Sequence, residues 1–107
     1  MTVRTSLKTD AGQNQHAAAH VYRIDWRPGA PHPSHFVLVE TEHRTIDDLI
    51  AALDAGLVAC NELYFDRTDR QRWRLTGRVR CALRGDDVLA VHEAAPHVIA
   101  AMRQETR

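Results

Sequence analysis

Between Arg70 and Arg84 the chain alternates almost without interruption. Even positions carry Arg70, Arg72, Arg74, Arg78, Arg80 and Arg84, while odd positions carry Trp73, Leu75, Val79, Cys81 and Leu83. A period of two sends successive side chains to opposite faces of a pleated strand. The stretch therefore predicts sheet, with one charged wet face and one buried apolar face. Gly77 interrupts neither series. A single strand of fifteen residues is far above the usual ~5–6, so a three-residue turn at Thr76–Gly77–Arg78 is expected, with Gly77 supplying positive φ. That turn pairs Leu75 with Val79 and Trp73 with Cys81. It also sets Arg74 against Arg80, and an anion held between them would relieve their repulsion.

The preceding segment, Leu57 to Phe65, also reads as strand. Leu57, Ala59, Asn61, Leu63 and Phe65 share one side; Val58, Cys60, Glu62, Tyr64 and Asp66 share the other. A turn near Arg67–Thr68–Asp69 joins it to the arginine stretch. An even loop would set Phe65 and Leu63 against arginines, so an odd loop is expected, with Leu63 facing Trp73 and Glu62 facing Arg74. A one-residue slip exchanges every side chain between faces. This parity puts Tyr64 and Cys60 on the arginine side and Cys81 on the apolar side.

The rest of the chain supplies partners for these strands. His20 to Trp26 alternates, with Tyr22, Ile24 and Trp26 on one side. Phe36–Val37–Leu38–Val39 is apolar on both sides and suits a covered strand. Between them, Pro28 to Pro33 is too rich in proline for a ladder and reads as a connector or recognition loop. Ile46, Leu49, Ile50 and Leu53 make one helical stripe over Ile46–Ala55. Thr45 is a natural N-cap for it, and Gly56 suits the position after its end. Pro96 starts a C-terminal helix over residues 96–104. Val88 to His92 fits a short strand or a helical turn. The expected fold is therefore α+β: an antiparallel sheet of four to five strands with the helix at 46–55 packed on one face. The C-terminal helix is placed beside it, so that the arginine face stays open.

Composition narrows the function classes. The chain has 107 residues and zero formal net charge, which fits one domain, residues 19–107, behind a flexible N-terminal arm of residues 1–18. No apolar run approaches a membrane span. The first fifteen residues lack the apolar segment of a secretory signal, so a cytoplasmic location is expected. Charge is locally uneven. Asp66 to Arg84 holds seven arginines and two aspartates; Glu40 to Asp54 holds five acids and one arginine. With thirteen arginines against one lysine, a GC-rich coding bias is the plain alternative to selection for guanidinium chemistry.

Arginines at alternate strand positions stand ~6.5–7 Å apart, near the ~7 Å or less between successive phosphates. The candidate binding residues are Arg70, Arg72, Arg74, Arg78, Arg80, Arg84 and, as a stacking platform, Tyr64. The plain alternative is a solvated face laced with Glu62, Asp66 and helix acids.

Catalytic patterns are weak. Glu40, Glu42 and His43 form the best acid–base cluster, at a strand end where polar residues are common. Ser34 and His35 are adjacent and point apart on an extended chain. No metal or cofactor site is expected. His32 and His35 have two intervening residues where zinc pairs usually take three to five, and the parity above keeps Cys60 from Cys81. The expected function is a small non-catalytic binding module docking an anionic partner, nucleic acid first. The alternatives are a protein–protein module on an acidic surface, such as an inhibitor or accessory subunit of phage or mobile-element type, dimeric through a sheet edge, or a small enzyme using Glu40, Glu42 and His43.

Overall fold

The computed structural model describes residues 20–67 and 72–105. The expected arm at 1–18 lies outside them, as do Arg70 and Gln71. The elements are β1 (His20–Trp26), β2 (Phe36–Thr41), α1 (Ile46–Asp54), β3 (Leu57–Arg67), β4 (Trp73–Arg84), a 3-10 turn at Gly85–Asp87, β5 (Val88–Glu93) and α2 (Pro96–Glu105). The strands form one five-stranded sheet in the order β4-β3-β2-β1-β5, with every pairing antiparallel. The α+β arrangement expected from the sequence is the arrangement found, C-terminal helix included. The segment after Asp87 is a strand, because β1 has a free edge there that β5 pairs.

Helix α1 forms where its sequence directs. Thr45 is extended, and its Oγ1 accepts from the Asp48 amide at 3.0 Å. Asp47 and Asp48 sit at the positive end of the helix dipole. Gly56, at φ 136°, turns the chain out of the helix into β3. Leu49 and Leu53 are buried against Tyr22, Ile24, Val37, Val39, Val58, Cys60, Leu83 and Val88. Each fully buried leucine contributes about 1.5–3 kcal/mol. A helix of nine residues would not hold its shape without that packing.

The second helix lies on the other face. Val98 of α2 packs with Val21, Leu63 and Ala94, and Leu38, Phe65, Trp73, Leu75, Ile99 and Met102 close around them. Val21 and Tyr22 are neighbours on one strand and belong to different clusters, so the clusters occupy opposite faces of the sheet. The expectation of two helices side by side is therefore corrected. The sheet is sandwiched, because Leu38, Leu63, Phe65, Trp73 and Leu75 form an apolar surface that only α2 covers. We call the face under α1 the inner face and the face under α2 the outer face.

The expected turn at Thr76–Gly77–Arg78 is also corrected. β4 runs as one strand of twelve residues through Gly77. It does so because β3, at eleven residues, pairs with it from end to end. Gly77 is not among the positive-φ glycines.

Candidate anion-docking strand

β4 is an edge strand, and its ladder with β3 changes register once. Arg67 pairs Trp73, Asp66 pairs Arg74 and Phe65 pairs Leu75; then Tyr64 pairs Gly77, Leu63 pairs Arg78, Asn61 pairs Arg80, Cys60 pairs Cys81 and Leu57 pairs Arg84. Thr76 is the extra residue of a β-bulge. Its hydroxyl donates to the Tyr64 carbonyl at 3.2 Å. Five residues separate Arg67 from Trp73, so the odd parity holds at this end of the ladder; Thr68 and Asp69 of the expected turn lie outside the described residues. The specific pairs Leu63–Trp73 and Glu62–Arg74 do not.

The bulge exchanges the faces of the arginines. Cross-strand partners point to the same side. Arg78, Arg80 and Arg84 therefore share the outer face with Leu63, Asn61 and Leu57. Arg74 shares the inner face with Asp66. Tyr64, opposite Gly77, is on the inner face too. The single comb read from strict alternation is thus split, and Tyr64 does not stand beside Arg78, Arg80 and Arg84. Arg72 precedes β4 and has interactions of its own. Arg70 lies outside the described residues.

The environments of these arginines differ sharply. Arg78 is half-buried, and its Nε donates to Glu40 Oε1 at 2.6 Å. The same Oε1 accepts from Asn61 Nδ2 at 3.0 Å. Glu40 is buried at 5% exposure, so the pair is held away from most water. Arg74, Arg80 and Arg84 are exposed. Among the described residues none of the three side chains makes a hydrogen bond or ion pair. Asn61 and Leu57, the partners of Arg80 and Arg84, bring no carboxylate. Arg84 also borders an open cleft of about 420 Å³ lined by Leu53, Leu57, Gly56 and Asp86.

Tyr64 is exposed, and its hydroxyl donates to Glu62 Oε1 at 2.6 Å. That hydrogen bond, more than any burial, raises the phenol above its ordinary range.

The acid–base cluster does not assemble as a reacting group. Glu40 is committed to Asn61 and Arg78, and Glu42 is exposed one residue past the end of β2. His43 serves through its backbone: its carbonyl accepts from the Tyr22 hydroxyl at 2.9 Å and its amide donates to Thr41 Oγ1. Burial, then the nearby Glu93 and Asp48 carboxylates, raise the Tyr22 phenol.

Two arrangements were not foreseen. On the outer face, Asp25 Oδ1 accepts from Arg23 Nε at 2.8 Å, and Asp25 Oδ2 lies 2.9 Å from His92 Nε2. Arg23 also lies 4.3 Å over the Phe36 ring. Partial burial pushes the Asp25 carboxyl up, but its bonds to Arg23 and His92 and their charges hold it below the ordinary carboxylate range. The spacing of Arg23 and Asp25 puts both on one face; His92 joins only through the β1–β5 register. The second arrangement is the proline loop. His32 stacks on Trp26 with ring centroids 3.6 Å apart, and its buried Nε2 is 3.5 Å from Asp87 Oδ2. The loop is docked on the sheet end.

Among the described residues no group of three or more His, Cys, Asp or Glu is placed to hold a metal ion. Among them, no helix is long and apolar enough to cross a membrane. The expectation that parity separates the cysteines is overturned: Cys60 and Cys81 are direct cross-strand partners on the inner face, with Sγ atoms 3.5 Å apart. The chain matches no protein-family model, no curated protein and no solved structure.

Proposed function

We propose that this chain is a small non-catalytic binding module that docks an acidic polypeptide along the free edge of β4. The observation that carries the reading is Arg80 and Arg84 standing exposed on an edge strand, opposite Asn61 and Leu57, while Arg78 beside them is neutralised by Glu40. An edge strand offers unpaired backbone amides and carbonyls to another strand. Here the incoming strand would meet Arg80 and Arg84 on one side and Arg74 on the other. A carboxylate-bearing strand satisfies both.

Nucleic acid is the second reading, and the exposure of Arg74, Arg80 and Arg84 favours it as well. Phosphate tracking asks for successive cations on one face. The bulge and the Glu40 pair leave two exposed cations there, four residues apart. That spacing makes a polypeptide edge the better fit. A second copy of this chain fits worst. An antiparallel self-pairing of β4 centred on Val79 sets Arg78 against Arg80 and Arg74 against Arg84, and such like-charge pairs are destabilising. The reading takes the chain as cytoplasmic, where thiols such as Cys60 and Cys81 are kept reduced.

Fluorescence anisotropy separates the two readings. Labelled polyglutamate and labelled single- and double-stranded oligonucleotides are titrated against salt. The expected result is polyglutamate binding that weakens at least tenfold in the Arg80→Ser/Arg84→Ser variant, with a flatter salt dependence. Tighter binding of oligonucleotides than of polyglutamate would transfer the reading to nucleic acid. Binding unchanged by the double substitution would remove the edge from both.

A further inference from the structure

The two cysteines meet although twenty residues lie between them in the chain. They are directly opposed in an antiparallel ladder. Opposed residues in such a ladder have Cα atoms ~4.5–5.5 Å apart, inside the ~4.4–6.8 Å that a disulfide bridges. Their Sγ atoms are in contact at 3.5 Å, so rotation about the side-chain bonds is enough to bring them to bonding distance. The backbone need not move. Both are free thiols.

Their exposures differ in a useful way. Cys60 is buried with Tyr22, Val39 and Leu49 under α1; Cys81 is half-buried on the edge strand. Burial, and then the contact with Cys81, raise the Cys60 thiol, so Cys60 stays protonated at neutral pH. Cys81 is the thiol that a small oxidant reaches.

We propose that Cys60 and Cys81 form a reversible intramolecular disulfide between β3 and β4 when the chain meets a peroxide. The Cys81 thiolate attacks hydrogen peroxide; its sulfur takes one oxygen, becoming a sulfenic acid, and hydroxide leaves. The Cys60 sulfur then attacks the Cys81 sulfur. The S–O bond breaks, the Cys60 proton goes to the departing hydroxide, and water leaves. Two thiols lose two electrons and two protons in all, and the peroxide is reduced to two waters. A small-molecule dithiol reverses the bridge by thiol–disulfide exchange. The pairing is a property of the ladder and does not depend on what binds β4.

The test uses the wild-type chain in native buffer. Hydrogen peroxide is added, quenched with catalase, and remaining thiols are alkylated in denaturant before intact-mass measurement. The expected product is a monomer that has lost two hydrogens and takes up no alkylating agent. Dithiothreitol should restore both thiols. The oxidised monomer should also melt higher, by on the order of 10 °C, since the bridge closes a loop in the unfolded chain. In the Cys60→Ser variant, the Cys81 sulfenic acid should persist and be trapped by dimedone. Two thiols surviving while free glutathione in the same tube is consumed would overturn the proposal. So would a sulfenic acid that persists in the wild type, or bridges between molecules in place of the internal one.

Discussion

Glu40→Ala is the substitution that bears most directly on how β4 is built. Glu40 is 5% exposed, and one of its oxygens accepts both from Arg78 at 2.6 Å and from Asn61 at 3.0 Å. A hydrogen bond to a charged group contributes roughly 1.5–3 kcal/mol. Removing one member of a buried pair costs about 3–5 kcal/mol, because the survivor stays desolvated. The Arg78 side chain keeps 22% of its exposure against 6% for Glu40, so water can reach the cation left behind. The cost therefore falls at or somewhat below the lower end of that range, about 2–4 kcal/mol. At about 4–8 °C per kcal/mol for a domain of this size, the melting temperature should fall by on the order of 15 °C. Urea unfolding of the single variants and of Glu40→Ala/Arg78→Ala gives the coupling, expected at about 1.5 kcal/mol or more, against ~0.2–1 for an exposed ion pair. Arg80→Ala should shift stability by no more than about 0.5 kcal/mol. A Glu40→Ala cost below about 1 kcal/mol, or a coupling no larger than that of an exposed pair, would refute the distinction drawn between Arg78 and Arg80.

Other substitutions probe the remaining supports. A Cβ on Gly85 would fall 2.0 Å from the Leu53 carbonyl oxygen, so Gly85→Ala should cost about 2 kcal/mol or more by forcing backbone apart; Gly77→Ala meets nothing within 4 Å and should be neutral or slightly stabilising by thermal melt. Asp25 has its folded pKa depressed, so its contribution is full above the unfolded carboxylate value of ~3.9 and is lost as pH falls through the lower folded value. Asp25→Asn should therefore flatten the dependence of melting temperature on pH below about 4; an unaltered acid limb would count against the Arg23–Asp25–His92 cluster. Leu49→Ala, at 0% exposure, should cost about 2–5 kcal/mol in urea unfolding.

Much of this fold is legible in the sequence. Helix α1 shows because stripe, cap and terminal glycine agree. β1 shows through the spacing of Tyr22 and Ile24, whose partners Val39 and Val37 on β2 keep the same period; against β5 the register shifts only at Trp26. The site is less legible for one reason: parity. Strict alternation from Arg70 to Arg84 assumes a ladder with no spare residue. Trp73 and Leu75 have the same parity as Cys81 and Leu83, yet the first pair must reach α2 and the second pair α1. No uninterrupted strand does both. The visible signal was Thr76–Gly77, a polar residue and a glycine inside an apolar series, which marks a bulge as readily as a turn. Alternation carried unbroken through Thr76 sets Cys60 and Cys81 on different faces; the bulge brings them onto one. The Glu40–Arg78 pair depends on the β2–β3 register, which local pattern does not specify.

If the bulge exists to exchange faces, Thr76 is a spare residue and its deletion should be tolerated. Without it, Leu75 still pairs Phe65 and Gly77 still pairs Tyr64, now as consecutive rungs of a regular ladder. Every side chain keeps its face, and only the hydroxyl bond to the Tyr64 carbonyl is lost. The expected cost is about 1 kcal/mol. Deleting Val79 as well removes the slack. The segment before it then slips one rung, Trp73 and Leu75 turn away from α2, and Arg74 is driven beneath the helix. Removing two large apolar side chains from cover costs about 3–6 kcal/mol in lost burial alone. Urea unfolding followed by Trp73 fluorescence, in a Trp26→Phe background, measures both variants. Equal costs for the single and double deletions would mean that Thr76 is structural in its own right. The exchange of faces would then need another cause.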